Sequence, residues 1–289
     1  MPTPPNPPNV PPNEPPDPDD QAAPQPDGDP SYDLSRMLAG WPYEPGKLSA
    51  RIVPGDDGEP RLQIRLDLGL LQMHLEGRPD GQRPRGFDSL LEYHEARLDE
   101  FVSRNGPPGG GAPGEGGAQE FTLSADECRE LREEAVQYYQ RYTGLLVMED
   151  YDGVVRDTTR NLRLLDFCKQ YAESEGDRTA LEQFRAYITM TRARALASQA
   201  LKDDEPKAAL HAVEEGLEAL RQHFSEHGPD GAYEQSGEVQ MLSQMRDALI
   251  PRQPLTPRQD LKRRLAEAVS KENYELAALL RDELKNMPE

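Results

Sequence analysis

Between Arg61 and Phe101 the hydrophobic residues change period, and the change limits what the first third of the chain can fold into. Leu62, Ile64, Leu66 and Leu68 alternate with Gln63, Arg65 and Asp67, a period of two that sets one face of a strand on a core and the other in water. From Gly86 onward, Phe87, Leu90, Leu91, His94, Leu98 and Phe101 recur with the period of a helix face. Two or three antiparallel strands cannot bury themselves, so this helix is expected to cover a small sheet in an α+β domain over residues 31–104. Tyr32 to Trp41 reads as a short helix and Lys47 to Val53 as the first strand, with Pro54-Gly55-Asp56-Asp57-Gly58 as a hairpin loop. Arg61 to Glu76 reads as a longer strand region, bulged or bent at Gly69 where the apolar phase shifts. Arg78-Pro79-Asp80-Gly81 then makes a turn.

Proline and glycine punctuate the ends of this domain. The first 30 residues contain 13 prolines, six acidic residues and no Lys or Arg. Such a segment, residues 1–30, has too little apolar surface to offset its ordering entropy and is expected to be a disordered, polyproline-like tail. It lacks the basic start and apolar run of a secretory signal. Asn105 to Ala118 contains seven glycines and three prolines and reads as a linker between two independently folding bodies. No Gly-Lys-Ser/Thr follows it, so it does not read as a phosphate-cradling loop. Nowhere is there a run of about 18 apolar residues, the length a conventional membrane helix needs.

Residues 119–252 read as helical throughout. Thr122-Leu123-Ser124-Ala125-Asp126-Glu127 carries a capping box, Ser124 with Glu127, ahead of a stripe formed by Leu131, Ala135, Tyr138, Tyr142 and Leu145. Further helices are expected from near Tyr151, over Leu181 to Leu201, over Pro206 to Phe224 and over about Glu238 to Ile250, where Pro251 stops the last. Two junctions share a format. Leu145-x-x-x-Glu149-Asp150-Tyr151-x-x-Val154-Val155 and Leu201-x-x-Asp204-Glu205-Pro206-x-x-Ala209-Leu210 each read as helix, short polar turn, helix. In this format they resemble tetratricopeptide hairpins. Tyr151 and Pro206 stand 55 residues apart, against the roughly 34 of adjacent repeats, so an irregular helical array is expected.

At the C-terminus, over residues 255–289, Leu261, Leu265, Ala268 and Val269 fall at i, i+4, i+7 and i+8. After Lys271-Glu272-Asn273, a second set follows in Tyr274, Ala277, Ala278, Arg281 and Leu284. Two short helices folded back on each other are expected, with Thr256 capping the first and Pro257 at its first position. The residues Ala268-Val269, Glu272-Asn273-Tyr274-Glu275, Ala277-Ala278 and Leu280-Arg281-Asp282-Glu283 resemble the UVR motif of the excision-repair nuclease subunits UvrB and UvrC. That motif also occurs in bacterial Clp ATPases and their kinase-activator partners. The resemblance implies an antiparallel helical hairpin that makes protein-protein contacts. Leu265, Val269, Tyr274, Ala278, Arg281 and Leu284 are the residues expected to carry them, toward a UVR-bearing repair or Clp-system protein. The chain has no Walker box, unlike UvrB, and no thiolate pairs, unlike the zinc-binding kinase activators.

Candidates for chemistry are few. Asp150-Tyr151-Asp152 resembles the nucleophile motif of haloacid-dehalogenase-type phosphatases, but that chemistry needs both acids at the end of a buried parallel strand, and the surroundings read as helix. His223 and His227 share i, i+4 spacing without an H-E-x-x-H sequence. Cys128 and Cys168 are too few for a four-thiolate zinc site or a disulfide framework and read as small buried side chains. A formal charge of −20 opposes nonspecific binding to a phosphate backbone, and Lys262-Arg263-Arg264 reads as a solvated helix face. The expected fold is therefore α+β: a small antiparallel sheet with a covering helix, a mostly α-helical hairpin array, and a UVR-like hairpin. The expected function is a non-enzymatic, cytoplasmic, bacterial interaction adaptor with no cofactor, metal or membrane partner. The alternatives are a nucleic-acid-associated repair factor and a phosphatase using Asp150 and Asp152.

Overall fold

The computed structural model describes residues 34–106, 120–229, 231–250, 257–271 and 274–286. The proline-rich tail, nearly all of the glycine-rich linker and the expected cap Thr256 lie outside the described residues. The chain divides into two units, residues 1–42 and 43–289. In the first, α1 (Ser35–Ala39) provides the short helix expected there, and the Trp41 amide donates to the Leu38 carbonyl at 3.0 Å.

The second unit opens with an antiparallel sheet of β1 (Ser49–Pro54), β2 (Pro60–Arg65) and β3 (Leu70–His74), in that spatial order. Ile52 stands opposite Leu62, and Ile64 opposite Leu71. The region expected as one bent strand is thus two strands. The Leu66 amide donates to the Gly69 carbonyl at 2.9 Å and closes a tight reversal between them. Leu66 and Leu68 consequently leave the core face they were expected to share with Leu62 and Ile64, and Leu68 is 92% exposed. Alternation alone cannot distinguish the end of a strand from the start of its turn. At Arg78 to Gly81 the expected turn is closed by the Gly81 amide on the Arg78 carbonyl at 2.8 Å, with Gly81 at φ 74°.

The helix that covers the sheet is α3 (Ala125–Val147), whereas the sequence pointed to α2 (Leu90–Asn105). Leu62, Ile64 and Met73 pack with Tyr142 and Leu145 of α3. A Cβ at Gly144 would stand 2.9 Å from both Ile64 Cδ1 and Leu62 Cδ2, so the close approach of helix and sheet depends on glycine. Helix α2 instead adds Leu90, Leu91, Leu98 and Phe101 to a cluster with Phe121, Leu131 and Phe167. Its free N-terminal amides find two acceptors. The Glu92 amide donates to Ser89 Oγ at 3.2 Å, and the Leu90 amide donates to the fully buried Glu134 carboxylate of α3 at 2.8 Å. The elements on either side of residues 107–119 therefore share a hydrophobic core rather than closing on themselves as separate bodies.

The remaining helices are α4 (Tyr151–Tyr171), α5 (Glu175–Thr179), α6 (Arg185–Lys202), α7 (Pro206–His227), α8 (Ala232–Gln235) and α9 (Gly237–Leu249). Packing runs from α3 to α4, α4 to α6, α6 to α7 and α7 to α9. The capping box at Ser124 and Glu127 is present. A Cβ at Gly216 of α7 would come within 2.4 Å of the Ala193 Cβ of α6, and Ala186, Ala193, Ala197 and Ala209 fill the same cluster, so small residues set the spacing there.

The two junctions of common format share one backbone conformation. Glu149 and Asp204 both take positive φ, 57° and 58°, uncommon for residues with a side chain. The amides of Glu149 and Asp150 donate to Leu146 and Leu145 at 3.3 and 3.0 Å, and those of Asp204 and Glu205 to Leu201 and Ala200 at 3.3 and 2.8 Å. Each is a Schellman closure of one helix whose next residue stands at the N-cap of the following helix; Asp150 caps with its side chain and Glu205 does not. Lys202 Nζ donates to the Glu149 carbonyl at 3.1 Å, joining the first junction to the end of α6. Between the junctions, α5 and a 3-10 turn over Glu182–Phe184 lie between α4 and α6 and lengthen the spacing beyond that of a tetratricopeptide pair. No helix among the described residues is long and apolar enough to cross a membrane.

Candidate functional site

The C-terminal segment forms α10 (Pro257–Ser270) and α11 (Tyr274–Asn286), which pack on each other. Leu261 and Ala268 on α10 meet Ala277 and Leu280 on α11 in a cluster flanked by the half-buried Leu265 and Leu284. Alanines at the center let the two backbones approach closely. The pair thereby buries its own stripe, which helices of this length need because isolated helices below about 12–15 residues are marginal in water.

The six residues expected to carry contacts divide into two groups. Leu265 and Leu284 hold the hairpin together. Val269 and Tyr274 are 52% and 68% exposed, and Ala278 and Arg281 also face out. Arg281 Nη2 donates to the adjacent Asp282 at 3.3 Å. Two residues outside the expected set are exposed leucines: Leu276 at 40% and Leu279 at 69%. The core stripe of α11 is Ala277, Leu280 and Leu284, spaced i, i+3, i+7. At about 100° per residue, Leu276 and Leu279 lie on one flank of that stripe and Tyr274, Ala278 and Arg281 on the other. The signal that could have found the leucines was the run Leu279-Leu280 itself, because adjacent residues on a helix cannot both face one partner helix.

This arrangement offers apolar docking surface with the exposed guanidinium groups of Arg264 and Arg281 beside it, and among the described residues it assembles no cluster of metal-ligating side chains. Residues 258–287 match the UvrB/uvrC motif, UVR. The match spans the two helices of the hairpin and about a tenth of the chain, and it does not reach the middle helices. No curated protein and no solved structure matches the chain.

The other candidates have structural roles. Asp150 is the N-cap of α4, its Oδ1 accepting from the Gly153 amide at 3.1 Å, and Asp152 sits in the first turn of the same helix. A phosphatase nucleophile would stand at the end of a parallel strand, but the sheet here is antiparallel and ends at His74. The phosphatase reading is therefore overturned by the position of Asp150. Cys128 and Cys168 are buried free thiols, and burial pushes them up to about 11 and about 12, so neither is a thiolate near neutral pH. His223 and His227 stack at 5.4 Å near the end of α7, with Lys169 Nζ 3.2 Å from His227 Nε2. Among the described residues, no three His, Cys, Asp or Glu side chains gather as a metal site would require.

Proposed function

We propose that this chain is a non-enzymatic adaptor that binds another protein through its UVR hairpin. Its partner is a UVR-bearing protein of excision repair or Clp-linked quality control in a bacterial cytoplasm. The supporting observation is that the hairpin closes a core of its own yet leaves Val269, Tyr274, Leu276 and Leu279 exposed on its flanks. Apolar side chains at the center of a protein interface supply most of its affinity, whereas rim charges such as Arg281 and Asp282 contribute about 0–1 kcal/mol and set register. The contact set is therefore Val269, Tyr274, Ala278 and Arg281 with Leu276 and Leu279 added, and Leu265 and Leu284 act by holding the hairpin. The test compares capture of such a partner by the full chain and by a chain ending at Pro254, after circular dichroism has established that the remaining helices persist. Selective loss of the partner supports the reading; unchanged capture moves the contact to the helices between Thr122 and Ile250.

A further inference from the structure

A concave surface lies between α3, α4 and α6, far in sequence from the UVR hairpin, and encloses about 460 Å³. Tyr142 and Leu165 form its floor; both are 1% exposed and packed in the core. The side chains that a ligand would meet stand on the rim. They are Val136 and Tyr139 of α3, 52% and 45% exposed, Phe184 of the 3-10 turn, 50% exposed, and the half-buried Tyr187 of α6.

Size, ring geometry and charge narrow what fits there. Each partner in a stable protein complex buries about 800 Å², far more than four rim side chains can cover, whereas small-molecule sites enclose about 300–1,000 Å³. Tyr139 and Tyr187, on different helices, have ring centroids 6.3 Å apart and planes inclined at 60°. That is the spacing and tilt at which aromatic rings attract one another, and a further planar ring extends such a pair. The polar side chains of the lining other than the tyrosines are engaged. Arg132 donates to Asp177 at 2.6 Å, so its charge is matched, and Asn161 donates to the Ala135 carbonyl and accepts from Arg160, each at 3.0 Å. An ionic ligand would lose its hydration here without gaining a counter-charge, which an uncharged one avoids.

We propose that this groove is a binding site for an uncharged aromatic small molecule, which stacks on Tyr139 and Tyr187 and is flanked by Val136 and Phe184.

The test titrates the full chain with two fluorescent probes. N-phenyl-1-naphthylamine is uncharged and brightens in an apolar site; 1-anilinonaphthalene-8-sulfonate is the same ring system carrying a sulfonate. The uncharged probe should bind saturably, and about tenfold or more tighter than the sulfonate. Val136→Glu and Phe184→Ser each change an exposed position, so helical circular dichroism should persist. At least one of them should weaken binding of the uncharged probe by about tenfold or more, and Leu279→Lys in the UVR hairpin should leave it unchanged. No saturable binding, equal or tighter binding of the sulfonate, an affinity unmoved by both groove variants, or an affinity lost in Leu279→Lys would each overturn the proposal. Because no UVR residue takes part, this outcome is independent of the partner-capture result.

Discussion

Arg141 on α3 and Asp157 on α4 form a bidentate ion pair, Nε to Oδ2 at 2.7 Å and Nη2 to Oδ1 at 2.8 Å, with side chains 1% and 0% exposed. The third nitrogen of Arg141, Nη1, donates to the His74 and Gly77 carbonyls at 3.1 and 2.8 Å, where the sheet ends. One guanidinium therefore joins two helices and the sheet, with its other face over the Tyr138 ring at 4.9 Å.

Arg141→Met should destabilise the protein by about 3 kcal/mol, because two carbonyls lose a donor and the buried Asp157 carboxylate keeps only Arg156, whose Nε lies 3.0 Å from its Oδ1. Arg141→Lys should recover little, since an ammonium cannot reproduce the planar fork. Denaturant unfolding monitored by circular dichroism measures both, and a loss under about 1 kcal/mol for Arg141→Met would mean that the network contributes nothing the packing does not already supply.

Gly216→Ala should cost about 1–3 kcal/mol, because the new methyl would overlap the Ala193 Cβ where α7 packs on α6. Gly237→Ala is the control, as a Cβ there meets nothing within 4 Å. Equal thermal midpoints for the two variants would show that α6 and α7 can move apart freely.

His94 gives stability a pH dependence. Burial, with the Arg97 and Arg85 guanidinium groups nearby and the Glu127 carboxylate opposing them, lowers its folded-state value to about 4 from an ordinary 6.5. Between those values the unfolded chain binds the proton and the folded chain does not. The His94 contribution is thus fully present above pH 6.5 and is lost as pH falls through about 4, at up to about 1.4 kcal/mol per unit. The difference in stability between the native chain and His94→Leu should shrink across that window as the pH falls. A difference that stays constant from pH 7 to 4 would contradict the assignment.

Local chemistry was the most legible part of the sequence. The Ser124–Glu127 capping box and the paired junctions at Glu149 and Asp204 use neighbors in the chain, so their residues announce them. Long-range contacts left no such trace. Nothing around Glu134 signals that its carboxylate caps α2 more than 40 residues earlier, and nothing in the α2 stripe indicates that α3 takes its place over the sheet. Leu66 and Leu68 continued a valid alternation into a turn. In the UVR hairpin the stripe was legible to within one position, which separated the buried Leu280 from the exposed Leu279 and placed Arg281 where Leu280 packs.

Proteolysis in the segment from Asn105 to Ala118 should leave two fragments that elute together from a native sizing column. The shared clusters of Leu62 and Ile64 with Tyr142, and of Leu91 with Leu131, motivate this. Separate elution of two folded fragments would restore the expectation of independent bodies.

The central claim, that the outer face of the UVR hairpin binds a protein, is tested most directly by one affinity measurement in the full chain. Leu279→Lys and Tyr274→Ala change exposed residues on opposite flanks of the α11 core, so the hairpin should fold in both. Each variant and the native chain are titrated calorimetrically against a UVR-bearing protein captured from lysate by the native chain. The account predicts that at least one variant binds more weakly by tenfold or more with its helical signal unchanged, and the flank affected locates the interface. Native affinity in both variants, or no UVR-bearing protein among those captured, would contradict it.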